Sequence, residues 1–125
     1  MTATPCGVAL AYAALADGGG GIVKATSAAR VSALLEGVVT SEHGTGKKAL
    51  VAGVRVAGKT GSSEWTAPDG SNKTYVSFVG YVPADRPRYV IFVGVESPAK
   101  EGAWGGSVAA PVFARIAAHA LSSGT

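Results

Sequence analysis

The sequence is poor in cysteine and histidine, the residues that could stabilise a small protein through disulfides or a bound metal. Cys6 is the single cysteine among 125 residues, so the chain cannot form an internal disulfide. His43 and His119, its two histidines, lie far apart and have no cysteine cluster beside them, which leaves a zinc site without support. We therefore expect no metal and no cofactor. Cys6 lies among small residues at the start of a predicted helix, and we expect it to be a buried apolar residue.

Charge and aromatic residues are also scarce. Charged residues make up 15% of the chain and aromatic residues 7%, and the net charge is only +3. The basic residues are scattered, and the close pairs are Lys47-Lys48 and Arg86/Arg88. A nucleic-acid-binding surface would cluster them on one face with aromatic side chains between them. We expect no nucleic-acid partner.

No hydrophobic run is long. The longest candidate, residues 8–16, falls well short of the roughly 20 apolar residues that span a bilayer, and no basic residue precedes it as in a signal peptide. We expect no targeting signal in this chain. Apolar residues nevertheless make up 47% of it, which indicates either a deep core or a face that contacts another part of a larger molecule. The length fits one domain, residues 1–125.

Hydrophobic periodicity and turn residues predict three helices and three strands. The helices lie near residues 5–16, 27–39 and 108–121, and the strands at 51–60, 74–82 and 88–96. Short links between successive strands favour antiparallel pairing, because a parallel crossover needs a dozen or more residues. The third strand, YVIFVGV, is almost wholly apolar, as is typical of a central strand. The sequence therefore predicts an α+β fold with helices packed on an antiparallel sheet.

Residue types at the helix ends and faces refine these predictions. Thr4-Pro5 can cap and begin the first helix, Thr26 or Ser27 the second, and Ser107 the last. The second and last helices each present apolar residues at helical spacing. These residues are Val31, Leu34, Leu35 and Val38 in the second helix, and Val112, Phe113, Ile116, Ala117 and Ala120 in the last.

The stretch GVRVAGKTG, residues 53–61, matches a nucleotide-binding P-loop letter for letter. A P-loop requires a strand before its first glycine and a helix that begins at its lysine. Here VRVA, between the two glycines, alternates like a strand, and the residues after Lys59 include Pro68-Asp69-Gly70, which favours a turn. A P-loop is therefore disfavoured. The fragment Gly44-Thr45-Gly46-Lys47 also resembles a phosphate loop, but alone it is weak evidence.

The end of the same stretch, Lys59-Thr60-Gly61, supports a different interpretation. On an edge strand beside a cleft, a lysine and a threonine hydroxyl can hold a carboxylate, and a glycine lets a ligand approach the backbone. The N–H beyond it can face a developing oxyanion. A bare tripeptide is equally compatible with a surface lysine and a turn glycine. Trp65 and Trp104, in predicted loops, could line the rim of such a cleft or be half-buried packing residues.

A set of segments in a particular order identifies a family resemblance. The segments are TPCGVALAYAALADGG, LLEGVV, HGTGKKA, VAGKTGSSE, YVSFVGYVPAD and GGSVAAPVFARIA. Over nearly its full length the chain resembles the C-terminal part of the transpeptidase domain of class B penicillin-binding proteins, whose fold is shared with serine β-lactamases. The resemblance implies that Lys59, Thr60 and Gly61 bind a substrate carboxylate. It also implies that the backbone N–H of Ser62 is an oxyanion-hole donor.

Two motifs that the resemblance would require are not found in their family context. Ser97-Pro98-Ala99-Lys100 fits Ser-x-x-Lys as letters, but a glycine-rich segment follows it and the family places its nucleophile much earlier. No Ser-x-Asn occurs, since Ser71-Asn72-Lys73 has the wrong spacing. We expect no nucleophile in this chain, and a chain that represents an incomplete domain.

The resemblance implies a function, partners and a location for the parent protein. That protein would be a peptidoglycan D,D-transpeptidase that cross-links cell-wall peptides by serine acyl transfer and binds β-lactams. Its partners would be a peptidoglycan stem peptide or a β-lactam, and it would act at the extracytoplasmic face of the bacterial cytoplasmic membrane. For this chain we expect pairing with the missing half of the domain, or self-association. The alternative is an inactive truncated module that binds a peptide or a partner domain.

Overall fold

The computed structural model describes residues 2–96 and 102–124 of the chain. The described residues form three helices, which are α1 (Pro5–Ala16), α2 (Ala25–Thr40) and α3 (Ala109–Ser123). They also form three strands, which are β1 (Ala57–Thr66), β2 (Asn72–Val82) and β3 (Tyr89–Glu96). A short 3-10 turn lies at Lys47–Ala49. The strands form one antiparallel sheet in the order β1-β2-β3. The predicted α+β architecture is therefore confirmed.

The first strand lies further along the chain than predicted. Residues Val51 and Val54 are joined by a tight turn in which Gly53 has a φ of 72°, so no strand exists there. The alternation of VRVA thus did not indicate a strand. β1 instead continues to Thr66 through residues that were predicted to be a loop, because each of them pairs with β2. The actual hairpin turn is short and is closed by a hydrogen bond from the Ala67 N–H to the Ser71 carbonyl, 2.9 Å long.

The central strand is β2, not β3. Five successive residues of β2, at positions 78–82, are buried, whereas only Val93 is buried in β3. β3 lies at an edge of the sheet, which corrects the prediction from its apolar sequence. That sequence is explained by its contacts with α1 and with α3, because an edge strand covered by helices needs apolar side chains on both faces.

The side of the sheet that faces α3 contains the larger core. Phe78 of β2 packs on Phe113 of α3 with 4.7 Å between ring centroids, and both side chains are fully buried. Val39, Val56 and Val82 complete the centre of this cluster. The opposite side of the sheet has a smaller cluster. It consists of Leu35, Ala57 and Tyr81, with partly buried residues of α1 and α2 against them.

The predicted helix caps are partly correct. Thr4 caps α1, because its hydroxyl accepts the Gly7 N–H at 3.0 Å. α2 begins earlier than predicted, after Lys24, and has no side-chain cap. Ser107 does not cap α3; its hydroxyl bonds instead to the backbone of Trp104.

Three expectations about burial are wrong. Leu34 is 73% exposed, and Val39 takes the inward position on α2 instead. Val112 and Ile116 are also exposed, at 40% and 45%, because α3 turns a narrow stripe of Phe113 and small alanines towards the sheet. Cys6 is exposed, since α1 buries none of its residues. Large apolar side chains therefore remain on the surface.

Candidate functional site

The four predicted site residues occupy consecutive positions on β1. This strand pairs with β2 along one side, and no strand among the described residues pairs with its other side. Side chains alternate across a strand, so Lys59 and Gly61 lie on the face towards α1 and α2, and Thr60 and Ser62 on the face towards α3. Lys59 and Thr60 do not begin a helix, so the requirement for a phosphate-binding P-loop is not met.

The Lys59 ammonium lies at the edge of the strand beside Thr60. Its Nζ donates to the Thr60 carbonyl oxygen at 3.0 Å and to Thr60 Oγ1 at 3.3 Å. Within residues 2–96 and 102–124 the one ion pair is Arg55–Glu36, so no described carboxylate neutralises this lysine. An exposed cation next to a hydroxyl is an arrangement that can bind a carboxylate.

The Thr60 hydroxyl has a second partner that the sequence did not indicate. Thr45, in the loop between α2 and the 3-10 turn, places its Oγ1 2.8 Å from Thr60 Oγ1. Thr45 belongs to the HGTGK segment, whose glycines were the one signal that this loop packs closely against something. Lys59 and Thr45 therefore converge on the Thr60 hydroxyl from different parts of the chain.

Gly61 and Ser62 are tied to the segment that precedes α3. A side chain at position 61 would bring its Cβ to 2.5 Å from Ser77 Oγ, so the Ser77 hydroxyl would have to rotate away to admit it. Ser62 Oγ accepts the backbone N–H of Gly105 at 3.2 Å. The strand that carries the site is thus held to the start of α3 as well as to β2.

Open grooves flank these residues. Lys59 lines one of them, together with the end of α2 and the following loop, including Leu34, Val38, His43 and Thr45. A neighbouring groove contains Lys47, Lys48 and Trp104 beside His43 and Thr45. Trp104 therefore lies near the site, whereas Trp65 is part of β1 and not of a loop.

The described residues add neither a metal site nor a membrane-spanning helix to this site. Ser97, of the Ser-Pro-Ala-Lys segment, lies outside the described residues. Among the residues that are described, no three histidine, cysteine, aspartate or glutamate side chains come together as metal ligands. No helix within residues 2–96 and 102–124 is long and apolar enough to cross a membrane.

Comparisons with known proteins agree on one family. The model of the penicillin-binding-protein transpeptidase domain matches residues 1–118. Stage V sporulation protein D of Bacillus subtilis (strain 168) is 38% identical over 103 residues, which are 80% of this chain but 16% of that protein. The chain thus spans only a small part of this relative.

Solved structures give the same answer. The transpeptidase domain of the FtsI4 D,D-transpeptidase from Legionella pneumophila matches with a TM-score of 0.79 and 41% identity, over 92% of this chain and 45% of that one. The transpeptidase domain of Burkholderia pseudomallei penicillin-binding protein 3 matches with a TM-score of 0.82 and 31% identity, over 98% and 43%. By sequence and by fold, the chain belongs to the penicillin-binding-protein transpeptidase family.

Proposed function

We propose that residues 1–125 are the C-terminal part of the transpeptidase domain of a peptidoglycan D,D-transpeptidase. The chain spans 45% and 43% of the two solved transpeptidase domains, which supports an incomplete domain. The remaining part would supply the catalytic serine. The observation that carries the proposal is the pairing of the Lys59 ammonium with the Thr60 hydroxyl on the free edge of the sheet in this fold.

Each residue of the proposed site has a separate chemical task. Lys59 supplies positive charge and Thr60 a hydroxyl, and together they hold the terminal carboxylate of a stem peptide ending in D-Ala-D-Ala. Gly61 leaves the strand without a side chain where the substrate lies. The backbone N–H of Ser62 donates to the oxygen of the reacting carbonyl, where negative charge develops.

The reaction divides between this chain and the missing part. The serine oxygen from the missing part bonds to the carbonyl carbon of the penultimate D-Ala and loses its proton. The C–N bond breaks, and the terminal D-Ala leaves as the amine after taking up a proton. A second stem peptide's amino group then displaces the serine from the ester, which forms the cross-link. A β-lactam presents its carboxylate and its strained amide to the same groups.

Partners and location follow from this proposal. The parent protein would work on the extracytoplasmic side of the cytoplasmic membrane, where its peptide substrates lie. The unpaired edge of β1 and the exposed apolar residues of α1 and α2 support pairing with the missing half of the domain. Without that half we expect self-association, which sedimentation velocity at two protein concentrations would detect.

A fluorescent penicillin tests the proposed site. The 125-residue chain alone should form no covalent adduct by intact mass, because acylation needs a nucleophile with an adjacent base. Mixed with the N-terminal part of the Legionella pneumophila transpeptidase domain, it should permit labelling of that partner. Lys59→Ala should reduce the labelling rate, and Lys48→Ala is the matched control. An adduct on this chain itself, at Ser97 for example, would contradict the assignment of the nucleophile to the missing part.

The rival function is an inactive module that binds a peptide or a partner domain. The observation in its favour is the apolar surface, since Leu10, Ile22 and Leu34 are all more than half exposed. A complex with the N-terminal part that never labels with penicillin would support this function. Noncovalent carboxylate binding does not discriminate, because an exposed lysine contributes only about 1 kcal/mol to either.

A further inference from the structure

We infer that Thr45 is a positioning residue that holds the Thr60 side chain and donates a hydrogen bond to its hydroxyl. The Thr60 proton is then offered to an acceptor on the ligand. The ligand class, a carboxylate, rests on the function proposed above. The holding of Thr60 by Thr45 does not depend on it, because both residues and the 2.8 Å separation between their Oγ1 atoms are present in the chain alone.

The loop that carries Thr45 is closely packed on several sides. The N–H of Gly46 donates to the Val38 carbonyl at the end of α2, at 2.9 Å. A Cβ at position 46 would lie 2.9 Å from the ring of Phe78, and one at position 44 would overlap the Val38 carbonyl. Gly106, before α3, lies against the Thr45 carbonyl oxygen. Thr45 is therefore anchored through its backbone while its side chain remains exposed.

Either hydroxyl can be the donor in this pair, and counting donors and acceptors shows which direction leaves a proton for a ligand. A threonine hydroxyl has one proton and two lone pairs, and a lysine ammonium can only donate. The Lys59 ammonium occupies one lone pair of Thr60 Oγ1. If Thr45 donates to the other, the Thr60 proton is left for a ligand. If Thr60 donates to Thr45, that proton is consumed, and a carboxylate has nothing to accept from the hydroxyl.

This role also explains a motif that the phosphate interpretation left without a function. The HGTGK segment does not open a helix that could bind phosphate, since only the three-residue 3-10 turn at Lys47–Ala49 follows it. Its glycines instead permit the close approach that brings Thr45 to β1. The two glycine-containing stretches that resemble phosphate loops, residues 44–47 and 53–61, thus meet where the Thr45 and Thr60 hydroxyls lie 2.8 Å apart.

The first test needs no ligand. Three-bond couplings to Cγ2 report the χ1 rotamer of Thr60 in the isotopically labelled chain. We expect one rotamer in the wild type and in Thr45→Ser, which keeps the hydroxyl, and rotamer averaging in Thr45→Val. Thr66→Val, a threonine on the same strand face, is the control and should leave Thr60 unchanged. A single unchanged Thr60 rotamer in Thr45→Val would overturn the inference.

The second test adds a carboxylate. N-acetyl-D-Ala-D-Ala is titrated while the amide signals of residues 59–62 are followed. Thr45→Val should weaken the apparent Kd about three- to tenfold, as for loss of one hydrogen bond, and Thr45→Ser should restore it. Equal affinities of the wild type and Thr45→Val would overturn the donor role. If the wild type does not bind the peptide while Thr45→Val still releases Thr60, the carboxylate ligand is wrong for this chain and the positioning role stands; the proposed function itself is tested separately, by the penicillin labelling described above.

A second variant is available in case Thr45→Val does not fold. If the amide spectrum shows that Thr45→Val is unfolded, the reciprocal variant Thr60→Val replaces it, and the χ1 rotamer of Thr45 becomes the readout. Thr45 should lose its single rotamer in that variant, because the interaction between the two hydroxyls is mutual. A Thr45 rotamer that is unaffected by Thr60→Val would count against the inference.

Discussion

The two faces of the sheet differ in how completely this chain covers them. Towards α3, Phe78 and Phe113 are fully buried and lie within a continuous cluster. Towards α1 and α2 the buried cluster has three residues, α1 buries none of its side chains, and Leu10 and Leu34 are 66% and 73% exposed. One face is therefore a complete core, and the other is only partly covered by the described residues.

The difference indicates that one face of the sheet stabilises the fold, whereas the other leaves apolar surface that can contact another protein or another part of the same one. Buried apolar area contributes most of the favourable free energy of folding, so the α3 face should dominate stability. Exposed apolar patches are instead typical of surfaces that contact another protein or another part of the same one. The proposed site lies on β1, where Ala57 and Gly58 are buried but the residues from Lys59 onward are exposed or only half-buried.

The largest expected effect compares one residue from each face. Phe113→Ala should lower the free energy of unfolding by about 3–5 kcal/mol, because it removes a buried ring from the main cluster. Leu10→Ala should change it by less than about 0.5 kcal/mol, since Leu10 is already in solvent. Urea denaturation of both variants measures the contrast. Similar losses in the two variants would mean that α1 packs far more tightly than described.

A smaller effect probes how α1 meets the sheet. Tyr12 of α1 is partly buried against the smaller cluster, and this desolvation raises the pKa of its phenol above the ordinary value of 10.0, with the nearby Tyr81 raising it further. The folded state therefore holds this proton more tightly than the unfolded state. The associated stability is fully present below pH 10 and is lost as pH rises through the folded pKa.

Replacement of the phenol isolates this contribution. Tyr12→Phe should make the free energy of unfolding fall less steeply above pH 10 than in the wild type. Urea denaturation at several alkaline pH values measures the two slopes. Identical slopes would show that Tyr12 is as solvated in the folded chain as in the unfolded one, and that α1 does not pack its Tyr12 side against the sheet.

The smallest effect is expected at Cys6. Its thiol is exposed on α1, so an aromatic disulfide reagent should react with it in the native chain as fast as in urea-unfolded chain at the same pH. Cys6→Ser should alter stability by less than about 0.5 kcal/mol. A thiol that is protected until the chain unfolds would place Cys6 in an interface, such as a self-associated form.

Local signals were sufficient for some elements. Thr4-Pro5 and the glycine run after Ala16 marked both ends of α1 correctly, because a cap and a helix stop act through neighbouring residues. The turn-rich links between apolar segments also indicated antiparallel pairing. Lys59 and Thr60 could be singled out as an edge-strand pair by motif alone, and they do lie on an edge strand.

Other features depend on distant parts of the chain, and these were missed. The bounds of β1 were wrong because pairing with β2, and not the alternation at 53–57, decides where a strand lies. The inward side of α2 was only partly right: Leu35 is buried as predicted, but Leu34 is exposed and Val39 is buried, because a stripe at helical spacing does not show how the helix is rotated on the sheet. The apolar sequence of β3 reflects its helical neighbours, not a central place in the sheet.

The sequence by itself thus determined the fold class and the first helix, and it singled out the residues of the proposed carboxylate site. Only the tertiary structure decided that β2 is central, that one sheet face is less covered, and that Thr45 meets Thr60. The physical reason is the separation along the sequence over which each interaction acts. Caps, turns and periodicity act over a few residues, whereas burial and the hydrogen bond between hydroxyls 15 positions apart exist only once separate segments have packed together.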